Sequence, residues 1–267
     1  MRPLDTVALS DDQLALLHRS RPSYAATEHG QVADAAAFLR STDPTPETAD
    51  WSPPPPRPPG PPLAGVLPLR VFPQEAWAAD GFAVVGPFLD REGLGSLADA
   101  ATRLQATAFA QSGMPSYADW VARISQIPEP ADWEPLFETL ETHPGITAAA
   151  ALALGTPSAR CLWSHLVLKP PGEGTPLPWH TDRPTWPFPA RVPAVAVWLA
   201  LDPLEEGSGG LSYRPGSHRG LDHARPATRP EVPAGSVLLH HDEVLHCSRA
   251  NTSPRWRRAW IGVFGAV

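Results

Sequence analysis

Two histidines and one aspartate are the side chains of this chain best suited to hold a metal ion together. His180 and Asp182 form a His-x-Asp pair, and His246 lies far downstream. Two imidazoles and one carboxylate on one face of an ion leave three coordination positions open. Non-haem Fe(II) oxygenases use this arrangement to bind a co-substrate and O2 side by side. The pattern therefore predicts an iron-dependent oxygenase.

A second His-x-Asp pair, His240 with Asp242, competes with the first. A motif this short is weak evidence by itself. If His240 and Asp242 were the pair, His246 would follow almost at once, and no downstream stretch would remain to close a barrel around the ion. A long stretch separates Asp182 from His246, in which several strands can cross over and return. The pair His180 and Asp182 is therefore predicted to bind the metal.

Length and composition limit the class of protein. The chain has 267 residues, enough for one large domain or a domain with an extension, and a net charge of −7 that favours neither nucleic acid nor an anionic membrane as partner. Two cysteines are too few for a disulfide framework, and acidic residues interrupt the first twenty positions, where a secretory signal needs an apolar core. No apolar run approaches the roughly 20 residues of a membrane span. We therefore expect a cytoplasmic enzyme.

The first 65 residues are expected to form an N-terminal extension to a domain over residues 66–267. Apolar spacing predicts short helices over 11–19 and 31–40, and a proline-rich linker covers 53–62. Prolines lack backbone donors and favour polyproline II, so this run is expected to be a stiff tether to an arm. The alternative is an arm that folds back over the catalytic face as part of a lid.

Residues 66–267 have the pattern of a packed domain. Helices are predicted over 74–80, where Gly81 stops the helix, over 90–109, and as several short pieces within 120–154, with a strand over 82–85. Beyond residue 159 the chain turns to short β-branched and aromatic runs punctuated by Gly and Pro, which predict strands over 160–168, 192–201, 210–214, 236–240 and 257–264. This spacing indicates a jelly-roll barrel with helices beside it, an α+β fold.

Several motifs in one order make the interpretation specific. They are Asp80-Gly-Phe-Ala-Val-Val85, Lys169-Pro-Pro-Gly172, Trp179-His-Thr-Asp182, Gly209-Gly-Leu211, Arg214-Pro-Gly-Ser-His218, Gly235-Ser-Val-Leu-Leu-His240 and His246-Cys-Ser248 with Asn251 and Arg257. With them, residues 71–267 resemble the phytanoyl-CoA dioxygenase family of Fe(II)/2-oxoglutarate-dependent oxygenases. The resemblance implies a double-stranded β-helix (jelly roll, cupin-like) with flanking helices. It also implies Fe(II), with 2-oxoglutarate and O2 as co-substrates, and makes His180, Asp182 and His246 the catalytic iron ligands.

Arg257 is the candidate for the far carboxylate of 2-oxoglutarate, because a guanidinium binds a carboxylate through two parallel hydrogen bonds. Strand alternation places Arg255, the second candidate, on the same face and Arg258 on the opposite one. The family pattern also assigns three further residues to the co-substrate, and for Trp198 and His165 a plain structural role is an open alternative. These residues are Ser248, Trp198 and His165.

Four residues are candidates for the substrate side of the site. Trp186 follows the ligand pair, where related hydroxylases place an aromatic wall over the substrate, although a tryptophan in a proline-rich loop can also simply pack on its neighbours. Trp163 shares a strand face with His165. The full candidate set is Trp186, Arg183, His240 and Trp163.

By resemblance, the reaction is oxidative decarboxylation of 2-oxoglutarate coupled to hydroxylation of an unactivated C–H bond. The expected substrate is a small molecule, an intermediate of specialised (natural product) metabolism. In halogenating relatives a small residue replaces the carboxylate ligand, whereas this chain retains Asp182. We therefore expect a hydroxylase and not a halogenase. Desaturation, cyclisation or epimerisation by the same iron chemistry, a Zn or Mn isomerase or hydrolase, and an inactive jelly-roll binding module are the alternatives.

Overall fold

The structure is a computed structural model that describes residues 51–111, 126–172, 176–183, 186, 188–189 and 191–266. The helices predicted over 11–19 and 31–40 lie outside these residues. Within the described ranges, no helix is both long enough and apolar enough to cross a membrane.

Helices cover one side of the molecule. The first, α1 (Gln74–Asp80), ends at Gly81, which has a φ of 79° and donates its N–H to the carbonyl of Trp77. Glycine takes this left-handed conformation without a steric penalty, so the predicted stop is where the chain turns into the first strand. The other α-helices of the described residues are α2 (Arg91–Gln111), α3 (Glu138–Glu141) and α4 (Pro144–Leu154), and short 3-10 turns lie at Pro130–Asp132, Pro135–Phe137, Ser217–Arg219 and Leu221–His223.

Two antiparallel sheets form the body of the domain. The major sheet has six strands in the order β1-β7-β5-β9-β3-β2, and the minor sheet has three in the order β4-β8-β6. The major-sheet strands are β1 (Phe82–Val85), β2 (Gln126–Pro128), β3 (Ala159–Lys169), β5 (Ala194–Ala200), β7 (Val237–His241) and β9 (Arg257–Ala266). The minor-sheet strands are β4 (Leu177–His180), β6 (Leu211–Tyr213) and β8 (His246–Ser248).

The major sheet separates two apolar clusters, as alternation along its strands requires. On β5, Val197 and Leu199 face outwards into the cluster that contains Leu97 of α2. Trp198, between them, faces inwards and joins a cluster with Tyr213 of β6. The helices therefore cover the outer face of the major sheet. Its inner face and the minor sheet enclose the barrel, and this arrangement is the predicted jelly roll with flanking helices.

The described part of the N-terminal extension lies against the domain. Arg57, within the proline-rich run, forms ion pairs with Glu129 at 3.1 Å, Asp132 at 2.7 Å and the buried Glu141 at 2.7 Å. Trp51 packs on Phe188, with ring centroids 5.4 Å apart. For this stretch the contacts favour a segment that folds back on the domain over a free tether. The domain boundary at residue 66 stays a prediction.

Candidate active site

The minor sheet aligns three side chains that can bind a metal. His180 at the end of β4 is paired directly with His246 at the start of β8, and the backbone N–H of Asp182 is held by the carbonyl of Asp242 at 2.9 Å. As a result, Nε2 of His180 lies 3.4 Å and Nε2 of His246 lies 3.5 Å from Oδ1 of Asp182. Two ligand atoms at right angles, each about 2.1 Å from an ion, stand about 3 Å apart. The three atoms therefore fit a single ion.

His246 is held in the form that binds metal. Its Nδ1 donates to the carbonyl of Val244 at 3.0 Å, which leaves the lone pair on Nε2 facing Asp182. Burial lowers the pKa of His246 to about 3, and the electrostatic effect of the neighbouring imidazole of His180 acts in the same direction. A neutral imidazole is the form that coordinates a metal ion, so this side chain is a ready ligand.

The two oxygens of Asp182 have different neighbours. Oδ1 faces the two ligand imidazoles, whereas Oδ2 accepts a hydrogen bond from Nε2 of His240 at 2.9 Å. Burial alone would raise the pKa of Asp182, but the electrostatic effect of the neighbouring His246 and hydrogen bonds from His180 and His240 lower this pKa well below its usual range. His240 is only 2% exposed. It lies behind the carboxylate, which differs from its predicted place on the substrate side.

The competing pair His240 and Asp242 does not converge on one ion. Asp242 points away from His240 and pairs with Arg183 at 2.7 Å and with His241 at 2.8 Å. Arg183 also contacts Glu243 at 3.4 Å. The substrate-side role of Arg183 stays a prediction. Residues 241–243 form a second group whose His, Asp and Glu side chains are close enough together to hold a metal ion. Arg183 places a positive charge against this group.

Arg257 and Lys169 bring two buried cations together beside the metal-binding side chains. They are direct cross-strand partners on β9 and β3, and such partners share a sheet face. Arg257 is 1% and Lys169 4% exposed. Nη2 of Arg257 contacts the carbonyl of Gly209 at 3.4 Å, while its buried Nε and Nη1 have no hydrogen-bond partner among the described residues. Nζ of Lys169 donates to Oγ of Ser248 at 2.8 Å.

The charge of this cation pair is not compensated by a carboxylate hydrogen-bonded to either side chain in the described part of the chain. Burial lowers the pKa of Arg257 to about 10, and burial together with the charge of Arg257 lowers the pKa of Lys169 well below its usual range. Buried charges without a partner are costly, so the pair favours an anion. The sequence contained one signal for Lys169, since it is the only lysine of the chain and lies in a family motif.

The neighbours of Arg257 in sequence and space distinguish it from the other arginines. Its Cζ lies 5.7 Å from the ring centroid of Trp198, which is 2% exposed and supports the guanidinium by a cation–π contact. Arg255, the second candidate for the co-substrate, is exposed and pairs with Glu205. Arg258 faces the other side of the sheet and pairs with Asp202 at 2.6 Å.

Two of the predicted residues lie together on the inner face of β3. The rings of Trp163 and His165 stack with centroids 4.3 Å apart. Nδ1 of His165 is buried without a hydrogen-bond partner among the described residues, and burial lowers the pKa of His165 to about 4. Trp186 is 5% exposed and packs against Phe188 at 5.4 Å. The substrate-side role of Trp186 stays a prediction.

Comparison with known proteins settles the family. The model of the family described as "Phytanoyl-CoA dioxygenase (PhyH)" matches residues 77–259. The chain belongs to the phytanoyl-CoA dioxygenase family. The predicted resemblance is thereby confirmed. A "Probable phytanoyl-CoA dioxygenase" of Caenorhabditis elegans is 25% identical over 171 residues, which are 54% of this chain and 54% of the relative. The match thus spans about half the length of that curated relative.

Solved structures share the fold. AviO1 from Streptomyces viridochromogenes Tue57 is 26% identical with a TM-score of 0.58, over 72% of this chain and 92% of that protein. EctD from S. alaskensis, solved with bound Fe, is 25% identical with a TM-score of 0.63, over 72% of this chain and 75% of that protein. These similarities confirm the predicted double-stranded β-helix with flanking helices.

Proposed function

We propose that this protein is an Fe(II)/2-oxoglutarate-dependent oxygenase that hydroxylates an unactivated C–H bond of a small molecule. The observation that carries the proposal is the convergence of Nε2 of His180, Nε2 of His246 and Oδ1 of Asp182 on one point. Two imidazoles and one carboxylate on one face fit a six-coordinate Fe(II) with open positions. When bound, the iron supplies the oxidising chemistry, and the protein fixes the geometry and excludes water.

The buried cation pair supports 2-oxoglutarate as the co-substrate. Nε and Nη1 of Arg257 offer two donors to the far carboxylate of the keto acid. Because Lys169 already donates to Oγ of Ser248, the hydroxyl hydrogen of Ser248 is left to donate to the same carboxylate. Trp198 keeps the guanidinium plane in place from one side. An acid with carboxylates at both ends could thus bridge the metal and Arg257.

We assign Trp163 and His165 to the wall of the barrel interior formed by β3. His165 would lie towards the co-substrate and Trp163 towards the substrate. They share the inner face of β3 with Lys169, and the unsatisfied Nδ1 of His165 can still form a hydrogen bond. Trp163 also packs at the edge of the cluster that contains Trp186 and Phe188. An apolar, partly aromatic wall suits a specialised-metabolite intermediate with apolar surface.

Hydroxylation is favoured over halogenation because the carboxylate of Asp182 fills the position that a halide would need. Desaturation, cyclisation and epimerisation start from the same iron chemistry and are alternative outcomes for this site. The net charge of −7 supports a function without nucleic acid, and the cytoplasmic location stays a prediction from the sequence.

Turnover of the keto acid tests this proposal. Purified protein loaded with Fe(II) should convert 2-oxoglutarate to succinate in air, slowly alone and faster with the correct member of a panel of candidate metabolites. His180→Ala should abolish succinate release, whereas the exposed His223, changed to alanine, should leave it unchanged. Succinate release by the His180→Ala variant at the wild-type rate would contradict the proposed site.

A further inference from the structure

A buried hydrogen-bonded chain links the minor sheet to the carboxylate of Asp182. The hydroxyl of Tyr213, on β6, lies 2.9 Å from Nδ1 of His240, on β7, and Nε2 of His240 lies 2.9 Å from Oδ2 of Asp182. Tyr213 is 0% and His240 2% exposed. Tyr213 is also the cross-strand partner of His246, so the chain begins and ends beside the metal-binding side chains.

Chemistry fixes the direction of the hydrogen bond between His240 and Asp182. An ionised carboxylate only accepts, so Nε2 of His240 carries the hydrogen that it donates to Oδ2 of Asp182. The other ring nitrogen, Nδ1, is then the atom that forms the second hydrogen bond, with the hydroxyl of Tyr213. Both ring nitrogens of His240 are thereby used, and neither is available to a substrate.

This direction determines how Asp182 presents itself to an ion. With Oδ2 engaged by His240, Oδ1 is the oxygen that faces His180 and His246. A carboxylate free to rotate could offer both oxygens to the ion and occupy a position that the co-substrate or O2 requires. Outer hydrogen bonds of this kind commonly fix the orientation of ligands.

We propose that Tyr213 and His240 are positioning residues that hold Asp182 to single-oxygen coordination. The inference rests on the proposed metal site and adds to it the device that keeps coordination positions open. Packing explains the aromatic ring of Tyr213, which stacks on Phe82 at 4.3 Å, but a phenylalanine at position 213 would pack equally well. Packing therefore does not account for the hydroxyl of Tyr213. A hydroxyl at 0% exposure costs free energy unless it is hydrogen-bonded, and here its partner is His240.

Metal binding by the apoprotein tests this inference independently of turnover. We would titrate wild type, His240→Leu, His240→Gln and Tyr213→Phe with Co(II), which reports its coordination through visible absorption bands. Loss of such an outer partner typically weakens metal affinity about 10- to 100-fold, which is the change expected for His240→Leu. His240→Gln should recover most of the affinity, because its amide can still donate to Oδ2 of Asp182. Tyr213→Phe should weaken binding less, about 3- to 10-fold, and shift the bands.

Phe82→Leu is the matched control, since it disturbs the packing of Tyr213 and leaves the hydroxyl. It should lower the thermal stability but keep the wild-type Co(II) affinity and spectrum. Wild-type affinity and spectrum in Tyr213→Phe would overturn the inference, even if His240→Leu does not fold. So would a folded His240→Gln that binds no better than a folded His240→Leu. Wild-type protein that takes up no Co(II) would overturn the metal site itself, and the inference with it.

Discussion

At the scale of single residues, the site is defined by where charge is buried. Asp182 supplies a negative charge next to the imidazoles of His180 and His246, and Arg257 and Lys169 supply positive charge with no carboxylate bonded to them among the described residues. Charges buried without compensation are strongly destabilising unless a ligand provides the opposite charge. The residues thus form a cation site and an anion site inside one barrel.

Arg257→Gln should weaken 2-oxoglutarate binding about 10- to 100-fold, because glutamine can replace only one of two charge-assisted hydrogen bonds and each contributes roughly 1.5–3 kcal/mol. Metal affinity should be unchanged, since the side-chain contacts of Arg257 seen in the described part of the chain are with the carbonyl of Gly209 and the ring of Trp198. Anaerobic calorimetry measures both constants, with Fe(II) titrated into the apoprotein and 2-oxoglutarate titrated into the metal-loaded protein. Arg258→Gln is the control, because the side-chain contacts of Arg258, with Asp202, the carbonyl of Ala98 and Thr102, lie on the opposite face of the sheet. Equal 2-oxoglutarate affinity in the two variants would contradict the role of Arg257.

Lys169→Met should have opposite effects on co-substrate binding and on stability. The variant loses the donor that holds Oγ of Ser248, so the dissociation constant for 2-oxoglutarate should rise about 3- to 10-fold, as for one hydrogen bond worth about 1 kcal/mol. Without ligand it should be at least as stable as wild type, because one of two adjacent buried cations is gone. Urea unfolding with and without 2-oxoglutarate measures this. A variant destabilised without ligand but with normal affinity would contradict the prediction.

Part of the site could be predicted from the sequence, and the reason is chemical. His180, Asp182, His246 and Arg257 have side chains suited to one ion and one carboxylate, at spacings that a barrel can bring together. The role of His240 could not be predicted, because it depends on a contact between β7 and the loop after β4. Tyr213 and Lys169 were missed for the same reason. Each acts through another side chain that only the packing of two sheets brings close.

At the scale of elements, Arg57 fastens the proline-rich run to a group of acidic side chains outside the barrel. Glu129 lies at the end of β2 and Glu141 ends α3, and Ser164 of β3 donates to Glu141 at 2.6 Å. Burial, with the charge of Glu141 acting in the same direction, raises the pKa of Glu129 from 4.5 to about 7. Arg57 opposes this change without cancelling it.

Glu129→Gln should gain stability relative to wild type as pH rises. Because the pKa of Glu129 is raised in the folded state, its protonated carboxyl stabilises the folded protein fully below about pH 4.5. This stabilisation is lost as pH rises through about 7. Glutamine has no such loss. Relative to wild type, the free energy of unfolding of the variant should therefore increase between about pH 5 and pH 8, by on the order of 1 kcal/mol. Urea unfolding at both pH values checks this, with Glu134→Gln, paired with Arg103, as control. A difference independent of pH would contradict it.

The long strands of the major sheet were predictable because their β-branched and aromatic runs are bounded by Gly and Pro. Strands β3, β5, β7 and β9 occur within a few residues of the predicted limits. Strands β4 and β8 were missed, since they are short and consist partly of polar residues that face the site. The stretch predicted as short helices over 120–154 also contains the short strand β2. The polar residues that face the site thus interrupt the alternating apolar pattern from which β4 and β8 could have been predicted.

At the scale of the whole molecule, the fold packs against each other two sheets that contribute different residues to the site. The minor sheet carries His180 and His246, and the major sheet carries Arg257, Lys169 and His240. A protein with a net charge of −7 does not attract the dianion 2-oxoglutarate over long distances. Binding of 2-oxoglutarate must therefore come from the local, buried cations Arg257 and Lys169. Buried charges are screened less by salt than exposed ones. Assembly of the barrel is therefore what creates the site.

The most direct test of the central claim is anaerobic titration of the apoprotein with Fe(II) and 2-oxoglutarate, followed by visible absorption. We expect a weak charge-transfer band that needs both additions and saturates at one equivalent of iron. The band should be absent in His180→Ala and should require more 2-oxoglutarate in Arg257→Gln. Wild-type protein that binds neither the ferrous ion nor the keto acid, or a band that persists in His180→Ala, would contradict the account.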